Sequence, residues 1–396
     1  MLSGHITMVD TVILEIGLAP DRIPCTIKPD SYDRWSLSLN GIVTPPYCRL
    51  GRKGSIKSTL NLSDKRLGIY APKLTFYKRI VRGGFGYTLY IEFSAPKILF
   101  GNNFEELTDD DLEALCSKLS ELLKAGGVNL SIEELKHCAV KSIHYGKNIV
   151  LTNGILPDYI IQYLRKANLS LKCREYKAAY SDGGMAIHNA TNPRAFCVYD
   201  KKKELANAKQ TEKGHFEEDG WCQIPMLGDL RGVEILRLEL RLETKKAIRA
   251  EFETHQISLC ESSFEELFKV EIARELLLTQ IMNMECRILP ILENGSDIVQ
   301  FAEQVSSLNP RIHSVTIAWA VAIKALSDAG KSMRGIRQLS RVGSQQWSEL
   351  MARMGNLSIP PPKVDSLADV KMQLKEFNPV RLERIKELNY NREELL

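Results

Sequence analysis

Apolar and polar residues alternate strictly from Ile235 to Glu243. The spacing puts four leucines on one face of a strand and Arg237, Glu239, Arg241 and Glu243 on the other. Shorter runs of the same period occupy the first half of the chain. Val9–Ile16 is a strand closed by Gly17 and Pro20, and Ser36–Asn40 and Tyr87–Phe93 are further strands rich in aromatic and β-branched residues. Gly83-Gly84-Phe85-Gly86 is expected as a turn. It is not a phosphate loop, because no Gly-Lys-Ser/Thr ending and no helix pattern follow it. Val140–Tyr145 and Phe196–Lys201 complete the strand-like set.

A helical period first appears after Thr108, an expected cap, with Asp109, Asp110 and Asp111 complementing the dipole. Leu112, Leu115, Leu119 and Leu122 then share a face, and Gly126-Gly127 ends the helix. Ser131 and Glu134 have capping-box spacing, and Pro157 opens a helix running to Ala167. Beyond residue 262 the strand signal disappears. Helical patterns span Ser262–Leu289, Asp297–Ser307 and Ile312–Ala329, with two shorter helices after Lys331. Ile359-Pro360-Pro361-Pro362 breaks the chain before a charged, helix-prone tail. The expected organisation is an α+β domain over 1–255, an all-helical domain over 256–358, and a tail over 359–396.

Composition narrows this only a little. The chain has 396 residues, 44% hydrophobic and 26% charged, which is globular rather than disordered, and its net charge of +4 is weak evidence for any partner. Basic residues do cluster, at Arg49–Lys57 (including Arg52 and Lys53), at Lys201-Lys202-Lys203, and more loosely at Lys331, Arg334, Arg337 and Arg341. Nine scattered cysteines form no Cys-x-x-Cys pair and read as reduced thiols. No signal-peptide pattern or membrane-length apolar run is evident, so a cytoplasmic protein with no membrane partner is expected.

Three places could carry chemistry. The polar face of 235–243 is either an ordinary wet face with cross-strand ion pairs, or a carboxylate for a metal beside arginines for phosphates. Tyr199 lies opposite Phe196 and Val198 on its strand. An ordinary tyrosine there is a packed residue. As a nucleophile it needs Lys201–Lys203 or a divalent cation to stabilise the phenolate, because a phenol is mostly protonated at neutral pH. His144 shares a polar strand face with Ser142 but has no His-x-His partner.

Four segments together resemble the filamentous-phage gene II/gene X type replication initiators and related plasmid proteins. Met8–Leu14 resembles that family's opening strand. Phe93-Ser94-Ala95-Pro96-Lys97-Ile98-Leu99-Phe100-Gly101-Asn102-Asn103 is similar to its "S-P-A-K-x-L-x-G-x-N" signature with Ala and Pro exchanged. Phe196–Lys201 resembles its nicking-tyrosine segment, and Leu236–Leu242 its "R-x-E-x-R" strand. Order and spacing agree over most of residues 8–250, with a looser match at Arg337–Ser358.

The resemblance implies a nickase/relaxase-like α+β fold, with a central antiparallel sheet flanked by helices and an all-helical C-terminal domain after it. It implies a rolling-circle initiator in a bacterial host, which nicks a replication origin, stays joined to the 5′ phosphate through Tyr199, and later rejoins the displaced strand. Glu239 is carried over as a ligand for Mg²⁺ (or Mn²⁺). The family has "S-R-I-D" where this chain has Lys141-Ser142-Ile143-His144, which offers His144 as the second ligand. Lys201 would assist Tyr199. DNA contacts are expected at Arg52, Lys53, Lys202, Lys203, Arg237, Arg241, Arg337 and Gln345, on double-stranded, locally melted and single-stranded origin DNA, with a host helicase and polymerase as partners. Around Gly343, the two short helices could be a pair that lays Gln345 and Gln346 in a major groove, or two ordinary packed helices. The competing class is an origin- or single-strand-binding regulator without catalysis. A conjugative relaxase would show a closely spaced histidine triad, which is missing.

Overall fold

The computed structural model describes residues 9–18, 27–30, 34–39, 42–44, 47–50, 56–63, 70–81, 84–151, 154–169, 173–177, 185–189, 193–205, 233–258, 262–360, 365–383 and 385. Only the backbone is described for the strands within 27–58, 78–85 and 173–189.

The strands are β1 (Val9–Leu18), β2 (Ile27–Asp30), β3 (Arg34–Leu39), β4 (Ile42–Thr44), β5 (Tyr47–Leu50), β6 (Ile56–Asn61), β7 (Lys73–Val81), β8 (Gly84–Ser94), β9 (Ala139–Leu151), β10 (Cys173–Lys177), β11 (Met185–Asn189), β12 (Arg194–Asp200) and β13 (Glu234–Leu242). Ten form one sheet in the order β10-β11-β12-β13-β9-β1-β8-β7-β6-β5, every neighbouring pair antiparallel. Strands β2-β3-β4 form a second, small sheet. The architecture is therefore α+β, with a central antiparallel sheet flanked by helices and a helical C-terminal region.

The helices are α1 (Ala95–Phe100), α2 (Asp111–Ala125), α3 (Ile132–Lys136), α4 (Pro157–Leu164), α5 (Lys245–Thr254), α6 (Phe264–Leu267), α7 (Val270–Glu285), α8 (Ile298–Leu308), α9 (Ser314–Asp328), α10 (Met333–Ser340), α11 (Ser344–Gly355) and α12 (Ala368–Glu376). None is long and apolar enough to cross a membrane. The leucine face of β13 is fully buried and shares one continuous core with Ile161 and Leu164 of α4 and Leu276 and Leu277 of α7. Each such leucine contributes about 1.5–3 kcal/mol.

Several boundaries differ from the sequence expectation for local reasons. Helix α2 opens at Asp111, because the Asp111 carboxylate accepts from Thr108 N (2.6 Å) and Oγ1 (2.9 Å), the reverse of a threonine cap. The expected 262–289 helix is split: Ser263 caps α6, then buried Phe268 and extended Lys269 break the helix before α7. Phe268 packs edge-on to Phe264 at 5.5 Å instead. Gly84–Gly86 belong to β8, paired with Val81–Arg79, leaving only 82–83, outside the described residues, between the two strands. The segment 93–103 holds α1, with Pro96 in its first turn.

β9 outruns its neighbour. β1 pairs with it only up to Tyr145, so among the described residues 146–151 have β13 on one side and no strand on the other. Side chains complete that edge. The Glu106 carboxylate accepts from Asn148 N (2.5 Å), Val380 N (2.8 Å) and Lys147 Nζ (2.8 Å). The Gln373 amide of α12 accepts from Val150 N (3.0 Å) and donates to Val150 O (2.7 Å), as a strand peptide would. Lys147 and Glu106 are both about 2% exposed, so each depends on the other for its charge. Glu106→Ala and Glu106→Gln are each expected to cost about 3–5 kcal/mol in urea unfolding, because either strands a buried ammonium and the glutamine amide would also turn an N–H toward a donor.

Candidate functional site

Strands β12, β13 and β9 lie side by side, and their register builds three cross-strand rows on the face opposite the leucines. These are Tyr199–Arg237–Asn148, Cys197–Glu239–Gly146 and Ala195–Arg241–His144. Side chains directly opposed in an antiparallel pair share a face, and diagonal neighbours are in reach of long side chains. Small residues at Gly146, Cys197 and Ala195 leave room for the large ones. This face is not wet at its centre: Arg237 and Glu239 are each 3% exposed and Tyr199 5%.

Glu239 is the hub. Arg241 donates to both its oxygens at 3.0 Å, Tyr199 donates its hydroxyl to Oε2 at 3.3 Å, and His144 Nδ1 lies 3.4 Å from Oε1. The other ring nitrogen of His144 lies 3.6 Å from Glu243 Oε1. Burial alone would lower the His144 pKa, but hydrogen bonds and charge from Glu239 and Glu243 outweigh it and raise the pKa from 6.5 to about 9. Burial would raise Glu239, but His144 and Arg241 hold it well below the usual carboxylate range. Tyr199 is pushed well above 10, first by burial and then by Glu239, with Arg237 opposing in part. Burial likewise pushes the Cys197 thiol up to about 12, so it is no nucleophile.

Arg237 leaves its own row. Its guanidinium crosses β9 to reach Asp10 Oδ2 on β1 at 2.9 Å, and NH1 donates to Asn148 Oδ1 at 3.3 Å. The crossing point is Gly146, where an added Cβ would stand 2.2 Å from NH2. Asp10 in turn accepts from Ser94 Oγ at 3.3 Å, which ties β8 into the cluster. Carboxylates Asp10, Glu239 and Glu243 face cations Arg237, Arg241 and His144, so the cluster is charge-balanced, as its burial requires.

Tyr199, Glu239, His144, Arg237 and Arg241 are thus brought together. Lys201 is not on the strand with Tyr199. β12 ends at Asp200, which accepts from Lys202 N and Lys203 N (2.9 and 3.0 Å) and opens a helical turn at 201–205. Buried Lys201 pairs with Glu204, Lys202 with Glu234, and Lys203 with Asp158 and Asp200. Arg52 and Lys53 lie outside the described residues. Arg337 and Gln345 belong to the helical region, far along the chain, with Arg337 over the Trp347 ring at 5.8 Å and Gln345 bonded to Glu349 at 3.1 Å. The sequence reading missed Asp10, Gly146 and Asn148. The available signal was a glycine inside a long strand, which marks a close approach.

Carboxylate oxygen suits Mg²⁺ or Mn²⁺, whereas a neutral imidazole nitrogen suits softer ions such as Zn²⁺ better. Here Arg241 takes both oxygens of Glu239, and His144 is held as an imidazolium. Among the described residues no group of three or more His, Cys, Asp or Glu side chains is placed to hold a metal ion. No protein-family model, curated protein or solved structure was found to match this chain. Fold and site therefore define a class by themselves: an α+β protein whose central antiparallel sheet buries a charge-balanced polar cluster around a tyrosine–glutamate hydrogen bond.

Gly146→Ala should force Arg237 off Asp10 and cost about 1–3 kcal/mol. Combined with Arg237→Met, which clears the clash, the two losses should be strongly non-additive in a double-mutant cycle. The His144 pKa is raised on folding, so its stabilisation is fully present below about 6.5 and is lost as pH rises through about 9. In metal-free buffer, the stability gap between the native chain and His144→Gln should be wide at pH 6 and narrow above pH 9.

Proposed function

We propose that the chain is a DNA nicking-joining enzyme that initiates rolling-circle replication at a phage or plasmid origin, with Tyr199 as nucleophile. One observation carries this reading. The Tyr199 hydroxyl, the Glu239 carboxylate and the His144 imidazole come from three adjacent strands and meet within 3.4 Å contacts on one sheet face. The same three residues follow from the sequence resemblance without any knowledge of register.

The tyrosine oxygen bonds to phosphorus as the bond to the DNA 3′ oxygen breaks, leaving a 5′-phosphotyrosine and a 3′ end able to prime a polymerase. Attack by another strand's 3′ hydroxyl reverses the step and rejoins DNA without an external energy source. Glu239 Oε2 already accepts the Tyr199 hydroxyl hydrogen, the geometry of a group that orients a nucleophile. A divalent cation such as Mg²⁺ or Mn²⁺ would be held at Glu239 and His144 only once His144 loses its proton and Arg241 gives up a carboxylate oxygen, and it would then supply charge to offset that on the scissile phosphate. While His144 keeps its proton, it and Arg241 bring positive charge to that spot instead, and Lys202 and Lys203 follow Tyr199 in the helical turn at 201–205. On this reading the protein works in the bacterial cytoplasm with a host helicase and polymerase.

A second reading has an observation of its own. Tyr199 is buried, its phenol is held protonated, and every charge beside it is paired, which also describes the structural centre of an origin- or single-strand-binding regulator. Incubation with a supercoiled plasmid carrying the origin and Mg²⁺ separates the two. The enzyme gives nicked circles with protein on the 5′ end, and Tyr199→Phe abolishes both products. Undiminished nicking by Tyr199→Phe would end the assignment, and DNA binding without nicking by the native chain supports the regulator. Tyr145 is a poor substitute nucleophile, since it is fully buried and donates to Leu267 O at 3.0 Å.

A further inference from the structure

The helices α10 and α11 are separated by Arg341, Val342 and Gly343, and each of these, like the Ser332 cap before α10, has a defined job. Ser332 caps α10, accepting from Gly335 N at 3.2 Å. Arg341 ends it in the left-handed region at φ 54°, ψ 20°, which turns the chain sharply. Val342 is half-buried and packs against the core, and Gly343 leads into α11 with its N–H given to Gln346 Oε1 at 3.4 Å. Helix α9 packs on both, so the three make one unit. Two helices joined by a turn of this length, the second with one face buried and the other exposed, suit the placing of a helix in a major groove.

The two faces of α11 differ sharply. Trp347, Met351 and Met354 are buried, and the Trp347 indole donates to Asn168 Oδ1 at 3.2 Å. Met333 N also donates to Arg165 O at 3.2 Å, so the unit is fixed to the segment that follows α4. The opposite face presents Gln345, Ser348, Glu349 and Ala352, all exposed. It carries no large apolar side chain of the kind a protein partner would cover. Its polar groups are short and of the amide, hydroxyl and carboxylate types that bond to base edges. Charge points the same way: residues 331–358 contain five Lys or Arg (Lys331, Arg334, Arg337, Arg341, Arg353) and one acid, Glu349. Lys331, Arg341 and Arg353 are exposed.

We propose that α10 and α11 form a reader of double-stranded DNA, with α11 in the major groove. Gln345, Ser348 and Glu349 meet base edges, and Lys331, Arg341 and Arg353 hold flanking phosphates. Arg337 is a positioning residue, stacked on Trp347. The reader needs no cleavage chemistry and stands or falls apart from Tyr199.

The test uses the full chain carrying Tyr199→Phe, selecting duplexes from a random pool and measuring affinity by anisotropy at several salt concentrations. A preferred sequence should emerge. Gln345→Ala should lose roughly tenfold on that sequence and little on random duplex. Arg353→Ala should weaken both alike and reduce the salt slope by about 1. An unaltered melting temperature for each variant shows that folding is not the cause. Selection that yields no preferred sequence would overturn the proposal, as would a Gln345→Ala chain that binds the selected duplex like its parent, or a solution dimer held through the α11 face.

Discussion

A guanidinium cannot be buried without an anion and acceptors, and Arg237 is buried at the middle of the sheet. Its anion, Asp10, sits two strands away, with β9 in between. That single pairing dictates much of the rest. β9 must offer a residue without a side chain where the arginine crosses, and Gly146 does so. The β9–β13 register must set Gly146 opposite Glu239, since a one-residue slip would put Tyr145 under the guanidinium and turn the leucines outward. Strand β1 must begin early enough to bring Asp10 alongside, and Ser94 at the end of β8 steadies it. The cluster around Glu239 grows from the same register, so whatever the face does chemically inherits its precision from a structural ion pair.

That dependence also bears on how the polar face is to be understood. Ion pairs in a sheet interior contribute little net stability over apolar packing, yet they penalise any other register heavily. Here the penalty falls on β9 and β13, the strands that carry His144 and Glu239. A tyrosine hydrogen-bonded to a carboxylate flanked by two cations has a fixed position, and a fixed position is what a nucleophile or a binding group needs before a partner arrives.

Much of this was legible in the residues. The alternation of 235–243 gave a strand, and its leucines are buried as the pattern requires. Ser131 with Glu134 gave a capping box, and Pro157 a helix start. Burial of the polar face was not legible, because alternation distinguishes two faces without saying what covers the second. Lys201 illustrates a different limit. Strand alternation extended past Asp200, whereas an aspartate that bonds the next two backbone N–H groups ends a strand and starts a helical turn. The pairing of Arg237 with Asp10 spans 227 positions, and no local period reports a partner so distant. The helices α1 and α5 were missed because one lies in a motif-like segment and the other follows directly on β13.

The far half of β9, residues 146–151, is completed in part by groups made much later in the chain. Lys147 bonds Asn378 O, 231 positions on, and Val150 bonds Gln373, 223 positions on. A ribosome adding about 5–20 residues per second needs roughly 10–50 seconds to cover that distance. During that interval the nascent chain holds a strand edge, and a lysine paired to Glu106, that still lack these later partners. These bonds of β9 therefore wait on α12, and shielding of that edge by a chaperone in the meantime would raise the yield of finished protein.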